Sequence, residues 1–162
     1  MRLKHYAASE HMAFEWDVSY DHLDRYDKPT GFWVSVVGED DWYNWCKDSE
    51  YRVETLENEY DVVLSPDANI LIIDTSEGVQ SLADEYRLTQ RHDASPLQAE
   101  LYTYPDWARI KSKYDGIIIA PYQWSCRLDV FWYYSWDCAS GCIWNTAVIE
   151  SVTLMSRERQ EA

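Results

Sequence analysis

No stretch of this chain approaches the about 18 consecutive apolar residues that a membrane-crossing helix needs, so no membrane-spanning segment is expected. Positive charge is scarce. Against 29 Asp and Glu stand only 14 Lys and Arg, a formal net charge of −15 over 162 residues. A nucleic-acid binder releases counterions through a basic footprint, and nothing here supplies one, which argues against direct DNA or RNA binding. Solubility is the simple reading of the acidity; the sharper one is a polyanion mimic that fills a partner's nucleic-acid groove. Cysteine occurs four times, at Cys46, Cys126, Cys138 and Cys142. Cys138 and Cys142 are four apart with no second tight pair, so buried reduced thiols are expected rather than zinc, and no metal is implied.

The familiar nucleotide and hydrolase signatures are missing as well. The sequence has no Gly-x-Gly-x-x-Gly and no Gly-x4-Gly-Lys-Ser/Thr, which sets aside Rossmann and P-loop binding. It has neither His-Glu-x-x-His nor Gly-x-Ser-x-Gly, which removes the common zinc peptidases and serine hydrolases. Met1-Arg2-Leu3-Lys4-His5 lacks the apolar core of a signal peptide, so a cytoplasmic location is expected.

What the chain does have is aromatic surface with polar handles: nine Trp and thirteen Tyr against three Phe. Such side chains suit half-wet clefts and interfaces as well as cores. With 46% hydrophobic residues and no repeat or linker, residues 1–155 read as one globular domain and 156–162 as a charged, fraying tail. Leu3–Ala8 and Gly31–Val37 read as strands, the second entered through Lys-Pro-Thr-Gly. Residues 9–27 form a helix or an irregular lid. Asp40–Asp48 suits a short helix capped by Asp40 or Asp41. Tyr51–Glu57 alternates like a half-exposed strand, and Ile70–Ile73 is apolar enough for a buried one. Helices are expected over roughly 77–88 and after Pro105, then a buried strand at Ile117–Ala120. Gly141–Asn145 and Val148–Leu154 read as the last strand and its continuation. Strands and helices that do not strictly alternate point to an α+β fold with a mixed or antiparallel sheet and two or three short helices.

Two early segments carry polar or aromatic groups where a purely structural strand would be aliphatic: His5-Tyr6 and Trp33-Val34-Ser35. With Tyr114-Asp115-Gly116-Ile117 and the closing run from Cys142 to Val152, they give an order of elements that resembles the ADP-ribosyltransferase superfamily. The pattern is also similar to small phage and actinobacterial proteins. The resemblance implies a split sheet holding NAD, as substrate, in a cleft. His5 and Tyr6 would come from the first strand and Trp33 and Ser35 from the second. In that register Ser140 stands where the family places its catalytic Glu, and Asp137 is the nearest acid.

Cleaving the nicotinamide–ribose bond passes through an oxocarbenium-like state that needs a held ring and a carboxylate near the ribose. His5 could orient the ribose and Ser35 the carboxylate; Tyr6, Trp33 or Tyr134 could stack on the ring; Asp137 would stabilise the charge. Each residue also has a plain structural reading: His5 as a surface histidine, Trp33 with Phe32 as core, Asp137 as a turn cap or a brace for Trp136. The segment 121–145, crowded with Trp and Tyr, serves equally as a cleft wall or a protein-binding patch. Two functions follow. One is an NAD-binding transferase or NAD hydrolase. The other is a catalytically inactive acidic inhibitor of a host or defence protein, acting in the bacterial host cytoplasm if phage-encoded.

Overall fold

The computed structural model describes residues 1–8, 26–89 and 95–155, with 99–101 as backbone only. Among these residues seven strands form: β1 (Leu3–Ala7), β2 (Phe32–Val36), β3 (Asn58–Leu64), β4 (Ile70–Ile73), β5 (Gly116–Ile119), β6 (Ser140–Ile143) and β7 (Ile149–Leu154). They hydrogen-bond in the order β4-β5-β6-β2-β1-β3-β7. Four helices accompany them among the described residues: α1 (Trp42–Ser49), α2 (Ser76–Glu85), α3 (Pro96–Leu101) and α4 (Trp107–Lys111). This is an α+β domain on a mixed sheet. Only β4 and β5 run parallel, because a parallel return needs a long crossover, and the segment carrying α2, α3 and α4 provides it.

The sheet is continuous, where a split one was expected. The division survives only locally: β1 pairs with β3 over five residues but with β2 over two, Leu3 with Val36 and Lys4 with Ser35. Beyond Lys4 the two central strands part. The parting lies where the polar side chains are.

The core is carried by β5, whose Ile117, Ile118 and Ile119 are buried and each contribute about 1.5–3 kcal/mol by leaving water. Val79 and Leu82 of α2 and Trp107 and Ile110 of α4 belong to the same cluster. Gly141 lets β6 approach β5 closely. A Cβ there would lie 2.6 Å from the Ile117 carbonyl oxygen and 2.6 Å from Ile118 Cγ1.

Several elements differ from their sequence reading. Ile70–Ile73 is a strand, but at the sheet edge, with Ile72 45% exposed and only Ile73 buried. Tyr51–Glu57 is not a strand. Glu50 and Arg52 take positive φ (53° and 50°), and Val53–Leu56 forms a 3-10 turn closed by Thr55 N–H and Oγ1–H donating to the Arg52 carbonyl at 2.9 and 2.7 Å. The strand begins later, at Asn58. Gly141–Asn145 and Val148–Leu154 are not one continuing strand: β6 lies inside the sheet and β7 on the far edge beside β3. The expected lid at 9–27 lies outside the described residues except at 26–27, as does the tail from 156.

Candidate functional site

A cavity of about 350 Å³ opens where β1 and β2 part. Its lining includes His5, Tyr6, Trp33, Ser35, Asp137 and Ser140, six of the seven residues singled out in the sequence. Tyr134 is not among them. It is 58% exposed on the outer surface, with the Arg127 guanidinium 5.7 Å above its ring. The aromatic wall attributed to Tyr134 is made instead by Trp136, whose indole meets Trp33 edge-on at 5.0 Å.

The floor follows from strand register. Lys4 stands opposite Ser35, and Ser35 opposite Ser140, so three polar side chains form one cross-strand row. Trp33 is two residues from Ser35 and Tyr6 two from Lys4, which puts them on the same face. Each polar group is anchored. Ser35 Oγ accepts the Trp42 N–H at 2.9 Å, tying the floor to the start of α1, whose N-cap is Asp41. Ser140 Oγ donates to the Cys138 carbonyl at 3.0 Å, and the Lys4 ammonium is paired with Glu59. Burial, with the Glu59 and Asp41 carboxylates, pushes the Tyr6 phenol well up, so it remains a hydrogen-bond donor at neutral pH.

His5 plays a different part from the one expected. By alternation it shares the opposite face with Phe32, on which its ring stacks at 4.5 Å. Its Nδ1 reaches the Trp33 carbonyl at 2.8 Å. A carbonyl only accepts, so Nδ1 carries the proton and the neutral ring keeps Nε2 as an acceptor. Burial lowers the His5 pKa despite that carbonyl, which favours the neutral form. The imidazole closes the gap in the sheet from behind, where the backbone ladder has stopped.

Among the described residues Asp137 is the one acid on the lining. Burial raises its pKa, while Lys28 and Arg127 pull it down; Arg127 Nη2 lies 3.6 Å from Oδ1. Arg127 also donates to Tyr122 Oη at 2.7 Å, and that hydroxyl donates to the Trp136 carbonyl at 2.6 Å. A chain of polar contacts thus fixes the Trp136-Asp137 corner. Behind it Trp132, Tyr133 and Trp136 are buried against Trp107 and Tyr122, so most of the aromatic density in 121–136 is core. Trp124, Leu128, Phe131 and Tyr134 face outward.

The lining residues that were not among the sequence candidates include Lys28, Trp42, Arg52 and Cys138. Lys28 had a local signal, sitting in the turn before β2. The segment around it is held by the Trp107 and Trp136 indole N–H groups, which donate to the Tyr26 and Asp27 carbonyls at 3.1 and 3.2 Å. The Lys28 ammonium lies 5.3 Å over the Trp33 ring. Arg52 carried no recognisable signal, because its place depends on the turn that replaced the expected strand. Burial pushes the Cys138 thiol up to about 12, making it an inert wall, not a nucleophile. All four cysteines are free and buried, and among the described residues no group of three His, Cys, Asp or Glu side chains is placed to hold a metal.

The chain matches no protein-family model, no curated protein and no solved structure. Among the described residues no helix is long and apolar enough to cross a membrane. Chemically, the described lining offers indole walls for a flat ring, cations at Lys28 and Arg52, hydroxyls at Ser35 and Ser140, and the Asp137 carboxylate.

Proposed function

We propose that the protein binds NAD in this cavity and acts on its nicotinamide–ribose bond, as an ADP-ribosyltransferase-like transferase or hydrolase. The carrying observation is the meeting of Trp33, Trp136, Ser35, Ser140 and Asp137, from separate parts of the chain, around one hollow. A volume of about 350 Å³ lies at the lower end of ligand pockets, room for the nicotinamide half of the dinucleotide with the rest extending outward.

In this reading the nicotinamide ring lies against Trp33 and Trp136, and the Asp137 carboxylate faces the ribose. As the C1′–N bond breaks, its electron pair passes to the ring nitrogen and nicotinamide leaves neutral. Asp137 stabilises the positive charge that develops on the ribose. Water or an acceptor nucleophile then bonds to C1′ and loses its proton to the carboxylate or to solvent. Nicotinamide release, followed chromatographically, should be measurable with the wild type and lost in Asp137→Asn. Equal release by both would remove Asp137 from the chemistry, and none from either would reduce the reading to binding.

A second reading is favoured by one observation. Trp124, Leu128, Phe131 and Tyr134 are each more than half exposed on one segment of a strongly acidic chain. Such a surface fits an inhibitor that docks on a basic partner without catalysis. Salt-sensitive capture of a bacterial protein, abolished by Phe131→Ser with Leu128→Ser, would support it; NAD turnover by the isolated chain would displace it.

A further inference from the structure

We propose that the outer edge of β4 is a docking site for an extended segment of another protein, which adds to the sheet as a further strand. The segment it fits is aliphatic at alternate positions, with lysine or arginine at its ends. The inference is independent of the nicotinamide reading, since the groove beside β4 shares no described lining residue with the cavity between β1 and β2.

The backbone is the first ground. β4 ends the sheet and has β5 on one side only. The Asn69 and Ile73 carbonyls accept the Asp115 and Ala120 N–H groups at 2.8 and 3.1 Å, so they face β5. Alternation along the strand turns the N–H and C=O groups of Ile70 and Ile72 the other way. Among the described residues no strand pairs with that side, and Ile72 is 45% exposed. Open backbone groups in a row are a template for another strand. Charge on an edge discourages such pairing. β7, at the opposite edge, carries Glu150 with Ser151 and Thr153, whereas β4 is Ile-Leu-Ile-Ile. The start of β4 is fixed against its neighbour, because Asn69 donates from its backbone to Asp115 Oδ2 and from Nδ2 to the Lys113 carbonyl, both at 2.8 Å.

The second ground is the space beside that edge. Residues 65–69 join β3 to β4 although four strands lie between them in the ladder, so the sheet curls. The curl leaves a groove of about 500 Å³ with Ile70, Ile72 and Ile118 on one wall and Leu3, Val62 and Leu64 on the other. An added strand sends every second side chain to the face that Ile70 and Ile72 share, and aliphatic groups fit there.

Charge decides between occupants. Asp67, just before β4, and Asp74, immediately after it, are exposed acids at its two ends. Within the groove Arg2 and Asp61 are of opposite sign. A second copy of the chain fits badly. Antiparallel pairing of two β4 strands sets Asp67 beside Asp74, parallel pairing sets each beside its like, and every copy brings a net −15. A partner strand with a cation at each end meets opposite charge at both.

The test pans a displayed library of short random peptides on the wild-type chain. Enriched peptides should alternate aliphatic residues between Lys or Arg. Their synthetic copies should bind Ile72→Pro and Ile72→Lys about 10-fold or more weakly than the wild type. Proline there removes an outward N–H and leaves the ladder to β5 whole, which circular dichroism and thermal melts check. Asp67→Asn with Asp74→Asn should weaken binding about 3- to 10-fold and flatten its salt dependence. On the wild type, which needs no variant to fold, hydrogen exchange read by NMR should slow about 10-fold or more at the Ile70 and Ile72 amides when peptide binds. The Leu71 and Ile73 amides, facing β5, should exchange slowly throughout. The proposal is overturned if no peptide family enriches, if the peptides bind both Ile72 variants as tightly as the wild type, or if the Ile70 and Ile72 amides exchange unchanged. Binding that ignores both aspartates overturns the basic partner. A reversible dimer in sedimentation that Ile72→Lys disperses gives the edge to a second copy and overturns the proposal as well.

Discussion

Replacing His5 with Phe tests whether the imidazole holds the two parted strands together. The ring stacks on Phe32 at 4.5 Å and its Nδ1–H donates to the Trp33 carbonyl at 2.8 Å. Phe keeps most of the apolar contact and deletes the donor, so the loss at about pH 7.5 is one partly buried hydrogen bond, about 1–2 kcal/mol. The pH dependence is the sharper signature. Burial depresses the folded-state pKa below the ordinary value of about 6.5, so the unfolded chain binds the proton more readily. Stability from the neutral ring is therefore complete above about pH 6.5 and is lost as the pH falls toward the folded-state value. One such proton changes stability by at most about 1.4 kcal/mol per pH unit. Urea unfolding of both proteins between about pH 7.5 and 5.5 isolates the effect, because the other three histidines are common to both. The wild type should lose stability faster than His5→Phe on acidification, and the two curves should converge. Parallel curves, or a variant as stable as the wild type at about pH 7.5, would refute the role given to the ring.

Other substitutions probe separate parts of the account. Because burial raises the Asp137 pKa, its carboxylate opposes folding above that raised value, and the opposition disappears at lower pH. Asp137→Asn should accordingly unfold no more easily than the wild type near neutral pH, while any nicotinamide release falls about 100-fold or more; thermal melts and a product assay together check this. Gly141→Ala should cost about 1–3 kcal/mol or more in urea unfolding, since the new methyl meets β5 backbone and not only a movable side chain. Trp33→Leu should leave the fold intact by circular dichroism and weaken NAD binding about 10-fold, through loss of the ring wall and of its contact with Trp136.

How much of this was legible in the chain depends on the range of the interactions involved. The two central strands, the Asp41-capped helix and the buried run after Asp115-Gly116 follow from local pattern and turn chemistry, and they appear where the residues put them. Alternation in Tyr51–Glu57 was misleading because two left-handed residues and the Thr55 side chain turned the backbone before any ladder could form. Glu59 and Asp61 are charged, yet they belong to a strand whose outward face carries charge and whose partner strand supplies Lys4. For the site, composition separated Trp and Tyr from Phe, and the pairing of His5-Tyr6 with Trp33-x-Ser35 marked the right two strands. Pattern could not say which face of a strand each side chain would take at a place where the sheet parts. His5 therefore emerges as a closure at the back of the pocket, and Tyr134 as a surface residue. The cations at Lys28 and Arg52 come from segments far apart in the sequence, and only the folded geometry unites them.

The most direct measurement is a titration of isotopically labelled protein with NAD, following the nine indole N–H resonances by NMR. Those of Trp33, Trp42 and Trp136 should shift together and saturate with one binding constant, while that of Trp144, outside the lining and donating to the Tyr114 carbonyl, stays still. Unmoved indoles at millimolar NAD, or shifts confined to the outward-facing Trp124, would contradict the claim that this cavity receives the dinucleotide.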